Sequence, residues 1–407
     1  MGMLNSGTAI AQETSELITT QLPFPQYVGV ADDHYGVRIG RVRIRYDLSL
    51  ETVFTDNRNL ESSDKDSDFG LRPTLTFGLF YPLNDRQKLQ LDVGLGYQWW
   101  ANVSDQNRFY VTPRSHVSYV LGVGDVDVSI SNNTASNSEA SSRVEIAGGP
   151  GANGAAGDDL AFNRITNMTG LGAAWRPGRI GLRGNYTFMI DRSLNDQFQS
   201  LDQNRHIFSG GIDFRVSAPI TVGLAGNYSI YTYLENIQND GSAFNITPTL
   251  TWRIRDNLTL DAAVGYGESS FDQTGTIQDD DAFSGVTYDV AVRHQLNKRM
   301  NHSLTVSRGA DPGLGSNFTE RFILGYNFSA QISPVLRPYL GFSYQSASIS
   351  GDAGEDAELF RLNLGIGYPV LRRATLGLNY NVSWRVSGDA NREYTENRVS
   401  LIASYRF

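Results

Sequence analysis

The chain of 407 residues contains no cysteine, and its five histidines lie singly along the sequence. Without cysteine there is no disulfide framework, no cysteine-ligated zinc or iron–sulfur centre and no lipid anchor on an N-terminal cysteine. No HxxxH or HExxH pair is present, so a histidine-based metal centre is not expected either. The sequence therefore predicts neither a bound metal nor another cofactor.

Long apolar runs are also missing. The longest apolar stretches are a few residues, far short of the roughly 20 that a spanning helix needs. The mean hydropathy of −0.31 would suit an ordinary water-soluble protein. A transmembrane β-barrel gives the same average, because its apolar surface is distributed in alternation with polar residues rather than in runs.

Apolar and polar residues alternate along most of the chain. From Leu89 to Trp99 the odd-numbered residues are Leu, Leu, Val, Leu, Tyr and Trp, and the even-numbered ones are Gln, Asp, Gly, Gly and Gln. The same pattern recurs over Phe360–Tyr368 and Leu376–Arg385. Successive side chains of a strand point to opposite faces, so these segments have one apolar face and one polar or small face. No helical period competes, and the chain is predicted to be all-β.

Short turns alternate with longer polar loops along residues 41–407. Eight short turns and nine longer loops are enough connections to join 18 strands. Short turns at one rim and long loops at the other are typical of outer-membrane barrels, so we predict a transmembrane up-and-down antiparallel β-barrel. The count falls to 16 if the weak segments Val126–Ser131 and Leu304–Ser307 are not strands. The longest loop starts at Asn132, and its glycine-rich part, 135–159, either folds inwards as a constriction or lies on the surface.

The two ends of the chain carry targeting signals. Ala9-Ile10-Ala11 has the small-x-small pattern of a secretory cleavage site, so residues 1–11 are predicted to be the remnant of a signal peptide. Residues 12–40 are predicted to extend into the periplasm or to enter the lumen as a short plug.

The last strand, VSLIASYRF, places Leu401, Ala403, Tyr405 and Phe407 on one face. An alternating strand that closes on a terminal Phe resembles the signal read by the barrel assembly machinery. We therefore expect a protein of the outer membrane of a Gram-negative bacterium, surrounded by outer-membrane lipid.

The polar face of the strands is rich in arginine. The chain has 31 arginines and 3 lysines, and its net charge is −9. Strand parity predicts that about sixteen arginines point inwards, namely Arg43, Arg45, Arg72, Arg114, Arg164, Arg183, Arg205, Arg215, Arg253, Arg293, Arg321, Arg337, Arg361, Arg385, Arg398 and Arg406. About seven acids share that face, namely Asp47, Glu51, Asp92, Asp127, Asp213, Asp261 and Asp289. An acidic protein would thus have a basic inner wall.

This inner wall has two interpretations. In the first, arginine–aspartate ladders stabilise the wall and contact no solute. In the second, the surplus arginines give a water-filled pore a positive field that favours anions. Glycines on the same face, such as Gly96 and Gly365, are expected to leave space for solute.

No group of residues indicates an enzyme. His116 and Ser118 share one face of a strand, but no orienting acid is identifiable in the sequence, so we interpret His116 as a wall residue.

The first strand continues from VRIRYDLSLETVF into Asp56-Asn57 and then Leu60. This strand-then-DN pattern, in a cysteine-free chain that ends in Phe, resembles the β-barrel porin type 2 group, outer-membrane barrels found with exopolysaccharide and capsule secretion systems. The resemblance implies a large barrel, often of about 18 strands, that serves polysaccharide export or porin-like passage. It assigns no role to any residue of this chain, the DN pair included.

The expected function is a channel for passive passage of hydrophilic, preferentially anionic solutes, with export of an acidic exopolysaccharide as its most specific form. The expected partners are small anions or an anionic polysaccharide and periplasmic secretion components, and no nucleic acid. The alternative is a plugged structural barrel that anchors a polysaccharide-secretion assembly.

Overall fold

The computed structural model describes residues 36–113, 115–137, 163–313, 316–351 and 354–407. Within these ranges twenty strands form a single sheet. They are β1 (Val37–Ile39), β2 (Val42–Thr55), β3 (Asp68–Asn84), β4 (Gln87–Trp100), β5 (Arg108–Val111), β6 (Ser115–Val123), β7 (Val126–Asn137), β8 (Arg164–Trp175), β9 (Ile180–Ser193), β10 (Gln203–Arg215), β11 (Ile220–Tyr233), β12 (Gly241–Arg255), β13 (Leu258–Phe271), β14 (Phe283–Asn297), β15 (Met300–Pro312), β16 (Phe318–Ala330), β17 (Arg337–Ile349), β18 (Asp356–Leu371), β19 (Ala374–Ser387) and β20 (Tyr394–Arg406).

The sheet closes on itself, because β2 pairs with β20 as well as with β3. Every pairing is antiparallel, and β5 and β6 both pair with β4, so they are two parts of one wall strand. Strand β1 forms a hairpin with β2 and lies where β20 ends: Val37 pairs with Ile44, and the Phe407 amide donates to the Tyr46 carbonyl at 2.9 Å. The described chain is therefore a closed barrel of 18 strands, which confirms the predicted fold class.

Short turns and long loops alternate as predicted. The two weak segments form β7 and β15, so the lower count of 16 strands is not needed. The prediction that the third loop begins at Asn132 is wrong, because β7 continues to Asn137. Residues 1–35 and 138–162 lie outside the described residues, and so do the predicted signal peptide remnant and most of the long loop. Residues 36–40 of the predicted N-terminal segment are described, and Val37–Ile39 joins the sheet.

The apolar side chains face outwards. Leu48, Leu95 and Leu378 expose 47%, 56% and 52% of their surface, whereas their polar strand neighbours point into the barrel. Exposed leucines in such numbers are stable only against lipid, so the outer face is a membrane-facing apolar belt. Leu401, Tyr405 and Phe407 of the last strand are exposed on this belt. No helix among the described residues has the length and apolar character needed to cross a membrane.

Candidate functional site

The lumen wall has two halves, one towards each rim of the barrel. The loop half is the part of the inner face next to the long loops, and the turn half is the part next to the short turns. The predicted inward arginines that the structure describes all lie on the inner face, since their strand neighbours are the exposed residues of the belt. Arg114 lies outside the described residues.

Arginines of the loop half are buried in ion pairs. Arg385 donates to Glu355 at 2.7 Å, and Arg392 holds the second oxygen of the same carboxylate at 2.8 Å. Arg164 bonds Asp191 at 2.7 Å and also donates to the Leu201 carbonyl at 2.8 Å. These guanidinium groups hold loops and neighbouring strands together.

Two further pairs in the loop half are longer. Arg321 lies 3.7 Å from Asp311, and Arg72 lies 3.8 Å from Glu51. Arg205 has a different partner, since its guanidinium carbon lies 4.6 Å from the centre of the Tyr231 ring. The loop half therefore matches the interpretation in which arginines stabilise the wall.

The loop between β2 and β3 folds into the barrel, and the DN pair fastens it. The Asp56 carboxylate accepts hydrogen bonds from the amide and the side chain of Asn397, both at 2.7 Å. The side-chain amide of Asn57 donates to the carbonyls of Thr395 at 3.0 Å and Glu61 at 2.8 Å. The two residues thus tie the first loop to the last strand, a role that the sequence alone did not indicate.

Leu60, further along this loop, packs against the inner face. Its backbone has a φ of 55°, and its side chain forms a buried cluster with Ala347, Leu359 and Tyr394. On the other side the Arg58 guanidinium lies 4.3 Å from the centre of the Trp100 ring, and Trp100 is only 1% exposed. The loop consequently covers the inner wall on two sides and narrows the lumen.

A second group of loops is joined at Asp279. Its carboxylate accepts from the amide of Asn317 at 2.6 Å and from the Ser350 hydroxyl at 2.7 Å, and its carbonyl accepts from Asn239 at 3.1 Å. These residues belong to four successive loops and are all buried. Because a buried hydrogen-bonded network is rigid, the loops are expected to behave as one cap.

Ion pairs in the turn half are more exposed. Arg45 contacts Asp47 at 2.9 Å and Asp92 at 2.6 Å, and Arg406 contacts Asp47 at 2.7 Å. Two further pairs are Arg183–Asp213 and Arg293–Asp261, and the Arg293 side chain is 64% exposed. The wall carries charge that is accessible to a solute at this level.

Four inward arginines have no acidic group within 4.0 Å among the described residues. Three of them, Arg215, Arg253 and Arg337, lie in the turn half, and the fourth, Arg361, lies in the loop half. The short turns next to them add more positive charge. They contain Arg176, Arg179, Lys298, Arg299, Arg372 and Arg373. Asp85, Asp125 and Asp256 in the turns and Asp127 on the wall offset part of this charge, and the basic residues of the turn half still outnumber its acidic ones.

The sequence indicated no acid beside His116, and this expectation is wrong. An acid does lie beside His116: its Nε2 is 3.6 Å from Asp92. That carboxylate is held by Arg45 and by the Gln90 side chain at 2.8 Å, so it is committed to the wall.

The wall glycines do not simply leave space for solute. The Tyr110 ring covers Gly96 and the Tyr339 ring covers Gly365, at positions where a Cβ would collide with the ring. These glycines accommodate inward tyrosines, whose hydroxyls bond Thr74 at 2.7 Å and Asn379 at 2.5 Å.

Sequence reasoning missed several acids of the wall. Asp191, Asp311 and Glu396 have inward parity and could have been found, whereas Glu355 lies at a loop end where no alternation identifies it. In the described part of the chain no three His, Asp or Glu side chains are grouped to hold a metal ion.

No protein-family model matches the sequence, and no curated protein matches it. Solved structures do match the fold. OpdQ of Pseudomonas aeruginosa is 11% identical with a TM-score of 0.50, over 91% of this chain and 99% of that one. The outer membrane protein OpdK of Pseudomonas aeruginosa is 12% identical with a TM-score of 0.50, over 89% and 98% of the two chains. OccAB3 of Acinetobacter baumannii is 11% identical with a TM-score of 0.50, over 89% and 99%.

At these identities the similarity is one of fold. The chain shares the closed β-barrel of these proteins, and the fold and the apolar belt together make it an outer-membrane protein. The comparisons support a porin-like barrel in general and not the exopolysaccharide group in particular.

Proposed function

We propose that the protein is a passive outer-membrane channel for hydrophilic solutes and that it prefers anions. The observation that carries the proposal is the surplus of positive charge in the turn half, where Arg215, Arg253 and Arg337 have no acidic partner among the described residues. Charges along a narrow pathway with low-dielectric walls produce a focused potential, which raises the local concentration of the opposite ion.

The loop half would then select among the anions that enter. Arg361 pairs across the sheet with Ser343 and Ser383, and Asn363 and Asn381 form the next inward pair. Hydroxyl and amide groups suit a hydroxyl-rich solute, and a guanidinium binds a carboxylate with two parallel hydrogen bonds. This combination favours acidic saccharides, and it supports export of an acidic exopolysaccharide as the specific form of the proposal.

The outward residues Leu401, Ala403, Tyr405 and Phe407 keep their proposed role as the signal for the barrel assembly machinery. Their exposed position on the last strand leaves them accessible to such a partner before the barrel is embedded in lipid.

One observation favours the alternative of a closed docking barrel. Two inner-wall residues of the loop half, Trp100 and Leu359, are almost completely buried, and residues of the first loop lie against both. A barrel whose loops fill the lumen would conduct no ions and could instead anchor periplasmic secretion components.

Single-channel recording in a planar bilayer separates the two functions. A channel gives discrete conductance steps, and under a KCl gradient its reversal potential has the sign of anion preference. Oligogalacturonate should then reduce the current at a lower concentration than a neutral maltooligosaccharide of equal length. No conductance from folded barrels, or a cation-selective reversal potential, would contradict the proposal.

A further inference from the structure

The membrane-facing belt is interrupted on β7 and β8. At this hairpin only three successive outward pairs are apolar, Val126–Trp175, Val128–Ala173 and Ile130–Leu171. The pairs that follow are Asn132–Thr169 and Thr134–Asn167. On β18 and β19, by contrast, five successive outward pairs from Phe360–Trp384 to Tyr368–Leu376 are apolar or aromatic.

The interruption is at the depth of the hydrocarbon core. Asn132 is the seventh residue of β7, counted from the short-turn rim. Five other strands also run from the short-turn rim towards the long loops, and their seventh residues face outwards too. These residues are Leu48, Val93, Val264, Val306 and Tyr380. Lipid tails offer no hydrogen bonds, so polar side chains at this level are poorly matched to lipid.

The four polar side chains form one cluster. The Asn132 amide donates to Asn167 at 3.0 Å and to the Thr169 hydroxyl at 2.9 Å, and Asn167 donates to Thr134 at 2.6 Å. Thr169 is exposed, and for its own hydroxyl proton the described residues provide no acceptor. The cluster thus has one free donor on its outer side.

A row of small residues crosses the neighbouring strands just below this cluster. Ala173 pairs with Gly184, Gly184 with Gly210, and Gly210 with Gly226, so four adjacent strands present almost no side chain to the membrane. Above the row, Leu171, Tyr186, Phe188 and His206 line a groove of about 520 Å³. Tyr186 bonds His206 Nδ1 at 2.8 Å, and His206 Nε2 has no hydrogen-bond partner in the described part of the chain.

We propose that the outer face of β7–β10 is the contact surface for a second copy of this chain, related by a two-fold axis. Small residues let two backbones approach closely, and polar side chains that meet in the membrane join transmembrane segments. A two-fold contact places the same patch of both copies face to face, so the Thr169 hydroxyl and the His206 Nε2 of each copy find partners on the other. Lipid could cover the small-residue row but could not satisfy these two groups.

The absence of cysteine makes a direct test possible, because one introduced thiol reports on one position. Thr169→Cys places a thiol on the proposed surface. Leu364→Cys places one at a similar depth on the opposite, fully apolar side, where the leucine is exposed on β18. After mild oxidation in native membranes, most of the T169C protein is expected as a disulfide-linked dimer and the L364C protein as monomer. No dimer from either variant, or equal amounts from both, would overturn the proposal.

A second variant tests the small-residue row. Gly210→Trp in the T169C background should lower the dimer yield at least tenfold, because the indole holds the two faces apart. Ala262→Trp, which adds the same ring to an outward position on β13, should leave the yield unchanged. An unchanged yield in G210W would contradict the proposal.

Native mass spectrometry from membrane vesicles serves as a measurement without any variant. It should give twice the mass of the single chain measured after denaturation. Monomer alone would mean that the interrupted belt is accommodated by local thinning of the bilayer, and would also overturn the proposal.

Discussion

Arginines in the two halves of the lumen wall differ in exposure and in partners. In the loop half, the side chains of Arg385 and Arg164 are 4% and 6% exposed, and each is held by a carboxylate. Arg164 also donates to the Leu201 carbonyl. In the turn half, the Arg293 side chain is 64% exposed. Its neighbours on the same side, Arg215 and Arg253, have no acidic partner among the described residues.

A count of inward arginines therefore does not measure the charge of a pore. A buried guanidinium whose charge is matched by a carboxylate fixes the architecture and adds little to the field along the lumen. An exposed guanidinium without a partner contributes its whole charge. The structural interpretation thus applies to the paired arginines of the loop half, and we propose the anion-attracting one for Arg361 and for the turn half.

Disrupting the buried ion pairs of Glu355 should destabilise the barrel more than any other change considered below. Arg385→Leu should lower the free energy of unfolding by roughly 3 kcal/mol, because it removes one of the two cations that neutralise a buried carboxylate. Arg215→Leu is the matched control and should change stability by less than about 0.5 kcal/mol, since its side chain is exposed. Urea unfolding in lipid vesicles, followed by Trp fluorescence, measures both. Equal losses in the two variants would contradict the division of the wall.

A smaller loss is expected from releasing the first loop. The double variant Asp56→Ala, Asn57→Ala removes two hydrogen bonds to Asn397 and one to Thr395. The expected loss is roughly 2 kcal/mol, at about 0.7 kcal/mol for each of these partly buried hydrogen bonds. The freed loop should leave the lumen part of the time, so single-channel conductance should rise and become noisier. If conductance stays at the wild-type level, the loop does not limit the pathway.

Neutralising the unpaired arginines should change selectivity and leave stability unaltered. In the triple variant Arg215→Gln, Arg253→Gln, Arg337→Gln, the ratio of anion to cation permeability should fall by roughly twofold or more. The control is Arg308→Gln with Glu320→Gln, an ion pair of 2.6 Å on the outer face of β15 and β16. Reversal potentials in a KCl gradient measure the ratio, and an unaltered value in the triple variant would show that these residues do not set the field.

The smallest effect is expected from removing a matched pair. Arg183→Gln with Asp213→Asn deletes one positive and one negative charge that are already in contact. The permeability ratio should stay within about 20% of wild type, because exposed pairs have little net field or energy. A shift as large as that of the triple variant would mean that pairing is irrelevant to selectivity.

The sequence allowed the barrel to be predicted because most outward positions are apolar and most inward ones are polar or small. The same rule explains where the prediction failed. Asn132–Asn137 of β7 was taken as loop, since its outward residues Asn132, Thr134 and Ser136 are polar and no alternation is visible.

The packing of the loops could not be predicted at all. Leu60 packs against Ala347, Leu359 and Tyr394, which lie about 290 to 330 residues later in the sequence. Glu355 is one of several acids in an acidic loop, and only the fold determines that it meets Arg385 and Arg392. Strand parity assigns a side chain to a face but does not determine which charge it meets there.

One introduced thiol detects the positive potential that we propose for the turn half of the lumen. Thr221 faces inwards on β11 and pairs with Arg215. In a Thr221→Cys variant, an anionic methanethiosulfonate reagent should react about tenfold faster than a cationic one at low ionic strength, after correction for their rates with a free thiol. High salt should remove most of the difference. Equal corrected rates, or a faster cationic reagent, would show that no positive potential is present in the turn half.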